Sequence, residues 1–482
     1  MTTAVATRDG EAAAMGVAIR SAIPAALRGA VPAAATGAGA AIPDRVARTV
    51  ERVAILAGAG LLLLLVVSLE DGATKLSVAR EALGGYWGVI AWPAAAMGAV
   101  VTASVAWRLV LWATYRPVPA LDASDPRLPA VTVLVPAYNE GACAGECVRS
   151  ILASDYPADR LRVVAVDDGS RDDTLAHIRA AAASDGAGRA LVVSLPRNGG
   201  KRGALHAAFA RADTPVVVTV DSDTILPRDA IRALVTPIVL DPGVGGVAGR
   251  IEVLNRDANV LTRMLGVRYR IGFDFVRASQ SRIRSVFVCP GALTAWRMDA
   301  LRGGIDAWRD QRFLGATCHN GDDHALTNLA LSRGYATIYQ GNAVARTKVP
   351  EGYRGLSLMY LRWARSNVRE SLRWMAMVPR LARRARNWPA IADGLATFVQ
   401  IPLRLYLLLF GYGLLLVHPS LFLRSVAAAL VFSVVHVAVY LRSERSLDAA
   451  YTVLYAVFSL LTLQWVYPWA AVTVRRARWL TR

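Results

Sequence analysis

The chain has 482 residues, 54% of them apolar, and a formal net charge of +19. The apolar share exceeds the ~45–50% usual for globular proteins and argues for membrane segments. The basic surplus comes with no recognition module, which argues against a nucleic-acid partner and for anchoring beside lipid.

Residues 1–50 are rich in Ala, Gly and Pro without a sustained apolar pattern, and read as a disordered tail. Residues 51–113 read as two transmembrane helices, with apolar runs at 53–69 and 87–107; Trp87 and Trp107 flank the second, as expected at interfaces. From 125 to 350 the pattern is that of a soluble domain. Runs at 130–138, 161–168, 190–195, 215–221 and 245–253 are rich in β-formers, and helix-length segments separate the first four. Strands alternating with helices predict an α/β, Rossmann-like, mostly parallel sheet that binds ligands beyond its carboxyl edge. Residues 351–393 are basic and aromatic and read as interfacial amphipathic helices. Residues 394–482 hold three apolar runs, about 395–417, 421–441 and 449–474, and a basic tail. Arg108, Arg116, Arg380, Arg383, Arg384 and Arg386 place the middle domain on the cytoplasmic side of a bacterial-type plasma (inner) membrane. Five full spans put the basic tail outside, against that rule. Arg404 makes the run at 395–417 the one expected to be re-entrant or interfacial.

The polar motifs sit at the predicted strand ends. Asp221-Ser222-Asp223 closes one run, and two carboxylates one residue apart can hold a divalent cation against a diphosphate. The motif "VPAYNE" (135–140) ends the first strand and "VDDGSRDDT" (166–174) the second. The stretch "NGGKRGAL" (198–205) offers a Gly-rich turn and two cations, Lys201 and Arg202, suited to phosphate oxygens. Lys201 is one of only three lysines, with Lys75 and Lys348. Cys143, Cys147, Cys289 and Cys318 form no C-x-x-C pair, and the first two share a helical spacing that suits packing.

This order of motifs resembles the GT-A fold of family 2 glycosyltransferases. The stretches at 255–281, "CPGALTAWR" (289–297), "GDDHALTNLALSRGYAT" (321–337) and "LRWARSNVRES" (361–371) are similar to hyaluronan synthases and to rhizobial chitin-oligosaccharide synthases. The resemblance implies a processive, inverting enzyme in the membrane that uses UDP-sugars. UDP-N-acetylglucosamine and UDP-glucuronate are the implied donors, and a β-linked polysaccharide leaves through the membrane part. A hyaluronan-like polymer is the first expectation, a chitin-like N-acetylglucosamine product the second and another β-glycan from UDP-glucose the third; a non-processive transfer to a lipid carrier is a different class, which the Arg-Trp motif and the flanking spans speak against. By the same resemblance, Ala137, Tyr138, Glu140, Asp167 and Asp168 surround the uridine. Lys201 meets the diphosphate, Asp221 and Asp223 hold Mg2+ or Mn2+, and Asp322 joins the substrate-binding set. Arg362 assists the departing UDP, and Trp363 stacks on the acceptor sugar. Two positions depart from the family pattern. Met359 stands where glutamine is expected, and Ala292 stands where a proline is expected in a turn.

The acidic island "HNGDDH" (319–324) admits three readings: a metal site with His319 and His324, a helix cap, or a general base. The pair Asp221 and Asp223 already serves a metal, so capping and catalysis remain. Asp322 or Asp323 is expected to cap a helix that ends at Gly334. Asp323, at the position the resemblance implies, is expected to take the proton of the acceptor hydroxyl.

Overall fold

The computed structural model describes residues 87–384, 387–406 and 420–476. The expected tail over 1–50 and the apolar run at 53–69 lie outside the described residues, as does the basic tail from 477 onward.

An eight-stranded sheet is laid down in the order β3-β2-β1-β4-β7-β6-β10-β5. Its first half is parallel: β1 (Val131–Ala137), β2 (Leu161–Asp167), β3 (Ala190–Ser194) and β4 (Val216–Thr219). All seven residues of β1 are buried, the near-continuous apolar run expected of a parallel strand covered on both faces. Helices α2 (Ala142–Leu152), α3 (Thr174–Ala183) and α4 (Lys201–Phe209) follow β1, β2 and β3; α1 (Trp87–Thr114) precedes them. The register pairs Ala137 with Asp167 and Leu134 with Thr219, so the ends of β1, β2 and β4 open on one edge.

The second half is mixed, where a mostly parallel sheet is expected. The sequence runs show β6 (Val244–Val253) but not β7 (Thr294–Arg297) or the long β10 (Ala336–Thr347). Strand β7 lies antiparallel between β4 and β6, while β10 is parallel to β6 and antiparallel to the two-residue β5 (Thr224–Ile225). A small separate hairpin, β8 (Arg312–Phe313) with β9 (Ala316–Thr317), lies ahead of the acidic island.

Three helices matter to the site besides α4. After α5 (Ala230–Leu240), α6 (Val260–Ile271) starts at a capping box between Asn259 and Thr262 and continues through a π-helical turn, Gly272–Arg277, of the sort often found at functional sites. The short α7 (Asp322–Ser332) carries the acidic island, and α8 (Tyr353–Arg384) runs from the end of β10 across it. A further helix, α9 (Trp388–Tyr406), begins inside the stretch expected to be interfacial, so the boundary at 393 does not coincide with a break.

Buried polar contacts tie the apolar helices to the sheet domain. Arg108 on α1 donates to both carboxylate oxygens of Asp393 on α9, at 2.7 and 3.0 Å, and Gln280 in the segment after α6 donates to Asp393 at 3.2 Å. Paired in this way, neither charge is left alone in an apolar setting. Arg256 likewise reaches Tyr440 on α10 (Ser420–Glu444) at 2.7 Å. Beyond it come α11 (Ala450–Thr462) and α12 (Val466–Val472).

Among the described residues no single helix is long and apolar enough to cross a membrane, and one bent pair, Leu447–Thr462 with Val466–Val472 at 46°, meets that length and composition together. The break thus falls in the last apolar run, where the sequence points to the run holding Arg404. Residues 407–419 and the Arg404 side chain lie outside the described residues.

Candidate active site

The loop after β1 lies at the carboxyl edge of the sheet, against the end of β2. Asn139 and Gly141 take left-handed conformations, φ 53 and 52, which turn the chain away from the sheet. The amides of Glu140 and Gly141 both donate to Thr174 Oγ1 at 2.8 Å, and the amide of Asn139 to Ser170 Oγ at 3.0 Å. Ala137, Tyr138 and Glu140 are therefore held against the end of β2, where Asp167 and Asp168 are buried. Asp168 receives the amide of Gly199 at 2.8 Å. Burial pushes its carboxyl up to about 6, against the pull of the Gly199 and Gly200 amides. The Gly-rich turn is thus pinned beside the end of β2, with Lys201 opening α4.

Lys201 bridges two acidic segments. Its Nζ lies 2.6 Å from Asp221 Oδ1 and 3.3 Å from Asp322 Oδ2. Burial alone would lower the lysine, but Asp221 and Asp322 hold it well above the ordinary range. Asp322 is 4% exposed, and although burial works against its charge, Lys201 and then Arg202 keep it below the usual carboxylate value. Arg202 is not the second phosphate cation that its position in the motif suggests. It is buried under Trp308 and donates to the carbonyls of Trp308 and Gly321, at 2.8 and 3.1 Å, so it props the acidic loop.

Asp223 accepts from Thr347 Oγ1 at 3.1 Å, and burial followed by the charge of Asp221 pushes it up to about 6. Two carboxylates one residue apart at a strand end suit a divalent cation that takes its other ligands from water and a diphosphate. Among the described residues no group of three or more His, Cys, Asp or Glu is placed to hold a metal ion by itself.

Gly291 sits over this cluster: a Cβ there would meet Lys201 Nζ at 2.7 Å and Asp221 Oδ1 at 3.4 Å. The turn closes despite Ala292, with the Leu293 amide donating to Pro290 O at 3.3 Å. Gly291→Ala should displace Lys201 from Asp221 and raise the KM for donor about tenfold, the cost of one charge-assisted contact. An unchanged KM would show that Lys201 can move without loss.

The start of α7 corrects one expectation. Neither Asp322 nor Asp323 is the cap; that place belongs to Gly321, φ 73, and the two aspartates form the first turn. Asp323 accepts the amide of His324 at 2.8 Å and keeps part of its surface open. Burial, then the charge of Asp322, pushes Asp323 up to about 6. His324 is buried beside Glu370 and Arg369, and burial lowers it to about 4, so it is a neutral packing residue.

Helix α8 crosses behind this turn. Arg369 donates to Asn320, and Asn328 Nδ2 to the Glu370 carbonyl at 3.1 Å. Two turns before Glu370 on α8, Trp363 is 42% exposed, with the Tyr360 ring 5.5 Å and the Tyr269 ring 6.1 Å away. Burial raises the phenol of Tyr269, the charge of Asp223 adds to that, and Arg362 works against it. Met359 is buried with Val253, Leu265, Val349 and Leu356. A glutamine there would need a buried polar partner, and methionine fills the space instead. The structure thus brings Lys201, Asp221, Asp223 and Asp322 together, with Asp323 adjoining. Thr347, Tyr269, Gly291 and Ser366 escape a reading by motif, because each acts through a contact distant in the chain.

The family described as glycosyltransferase like family 2 matches residues 128–375. An N-acetylglucosaminyltransferase of Azorhizobium caulinodans is 33% identical over 74% of this chain and 88% of its own length. Another, of Bradyrhizobium diazoefficiens, is 37% identical over 53% of this chain, which spans about half (52%) of that relative. Among solved structures, a mannosyltransferase of Pyrobaculum calidifontis, in complex with GDP-Man and Mn2+, covers 77% of this chain and 99% of its own at 23% identity, with a TM-score of 0.45.

Proposed function

Because this chain belongs to glycosyltransferase-like family 2 and is a sugar-transferring enzyme, we propose that it transfers N-acetylglucosamine from UDP-N-acetylglucosamine to a growing β-linked saccharide. The names of the relatives support that sugar and move the chitin-like product ahead of the hyaluronan-like one. The observation that carries the mechanism is the convergence of Lys201, Asp221 and Asp322 beside Asp323. A cation for the diphosphate and a carboxylate base meet at one opening.

In this reading the uridine lies against Ala137, Tyr138, Glu140, Asp167 and Asp168, and Lys201 meets the diphosphate. Asp221 and Asp223 would hold Mg2+ or Mn2+, which would supply positive charge against the diphosphate. Asp323 takes the proton of the acceptor hydroxyl, whose oxygen bonds to the anomeric carbon from the face opposite the phosphate. The carbon–oxygen bond to UDP breaks with its electron pair leaving on UDP, which Arg362 stabilises. Inversion follows from that opposite-side attack. Trp363, an open ring with two aromatic neighbours, stacks on the acceptor sugar. The apolar helices on both sides of residues 125–350 support a multi-pass protein of the plasma membrane, with its catalytic face in the cytoplasm and its product passing outward.

The test uses the purified full chain in lipid vesicles with UDP-N-acetylglucosamine, UDP-glucuronate, or both. The expected result is a product from UDP-N-acetylglucosamine alone that chitinase degrades. A product that needs both donors restores the hyaluronan reading, and no incorporation from UDP-N-acetylglucosamine overturns the proposal.

A further inference from the structure

We propose that Lys348 is a second cation for the donor diphosphate, parked on Cys143 until the donor arrives. The inference rests on the donor reading above.

Lys348 and Cys143 are 205 positions apart, yet Lys348 Nζ donates to Cys143 Sγ at 3.1 Å. The two residues come from elements far apart in the chain. Lys348 follows the end of β10, and Cys143 lies in the first turn of α2, where its amide donates to Glu140 O at 3.2 Å. The contact therefore spans from the segment given to the nucleotide to the strand that leads into α8. The preceding residue, Thr347, is buried and holds Asp223, while Lys348 itself is exposed. The carboxylates of Glu146 and Asp223 both act on its ammonium group.

A neutral thiol is a weak acceptor, so an ammonium group resting on one has its charge poorly matched. A diphosphate offers charged oxygens, and the exchange of a thiol for a phosphate oxygen favours a lysine beside Asp223. The chain uses arginine almost everywhere else; lysine presents a point charge on a flexible stem that can swing between two partners. Lys201, paired with Asp221 and Asp322, would meet the diphosphate first, and Lys348 would reach it from the end of β10.

The first measurement is calorimetric binding of UDP with Mn2+, and of uridine, to the full chain in lipid. Lys348→Ala should weaken UDP about tenfold and leave uridine unchanged, and Lys348→Arg should recover most of the loss. The second is maleimide labelling of Cys143, since the other three cysteines are buried. UDP with Mn2+ should slow labelling of the parent chain, because the ammonium that favours the Cys143 thiolate leaves it, and should slow it less in Lys348→Ala. Equal UDP affinity in the parent and Lys348→Ala, with affinity lost in Lys201→Ala, overturns this proposal alone. Labelling slowed equally in both forms also overturns it. A parent chain that binds neither UDP nor uridine removes the donor reading, and this inference with it.

Discussion

Replacing Asp323 with asparagine is expected to lower transfer by about 10²- to 10⁴-fold, the range for loss of a general base, while UDP binding stays within about twofold. The geometry separates the two effects. Lys201 is paired with both Asp221 and Asp322, while Asp323 accepts the amide of His324. Asparagine keeps the shape and the acceptor for that amide but cannot take a proton. The wild type should also lose kcat on the acid side. Burial and Asp322 raise Asp323 to about 6, so it is the ionised base above that pH and a proton-bound acid below it. Asp168 and Asp223 are raised to about 6 as well, but both belong to the donor site, so their protonation should appear in KM. A kcat profile at saturating donor isolates Asp323. Transfer at near wild-type rate by the asparagine variant, or a kcat flat from pH 5 to 8, would remove Asp323 from the mechanism.

Gly321→Ala is expected to destabilise the chain by about 2–5 kcal/mol and to abolish transfer. Two costs add at that residue. A side chain at φ 73 is strained by ~1–2 kcal/mol. The new Cβ would stand 1.9 Å from Ser366 Oγ, 2.8 Å from Ser366 Cβ and 2.9 Å from Arg369 Nη2, and such overpacking costs about 1–3 kcal/mol. Relief requires α7 to move off α8, which carries Asp322 and Asp323 away from Lys201. Ser366→Gly placed on the alanine variant removes the two closest atoms and leaves the backbone strain, so it should return about half of the lost stability. Thermal unfolding in lipid and kcat read the two effects together. An alanine variant as stable as the parent would show that α7 and α8 are not locked at this residue.

Helix α8 shows how far the chain could be read by motif. Arg362 and Trp363 are legible as a pair, and the structure sets the Trp363 ring beside Tyr269. Met359, read as the loss of a polar contact, lies in an apolar cluster, so its neighbours have adapted to it. Arg202 was legible as a cation but not as a buried one, because burial depends on where Trp308 and residues 320–321 fold back. The antiparallel β7 was missed because its four residues, "TAWR", carry too little periodicity to stand out from the turn before them.

By itself, the order of apolar runs and polar strand ends determined the α/β class, the carboxyl edge as the place of the site, and the acidic pairs that gather there. These follow from local rules: strands alternate with helices, and ligand-binding side chains collect where parallel strands end. Only the tertiary structure decided which charges meet. Lys201 joins Asp221 to Asp322 over 20 and 121 positions of chain, Thr347 holds Asp223, and Gly321 admits Ser366. Pairings of that kind depend on strand order and helix packing, which set distances in space that spacing along the chain does not encode.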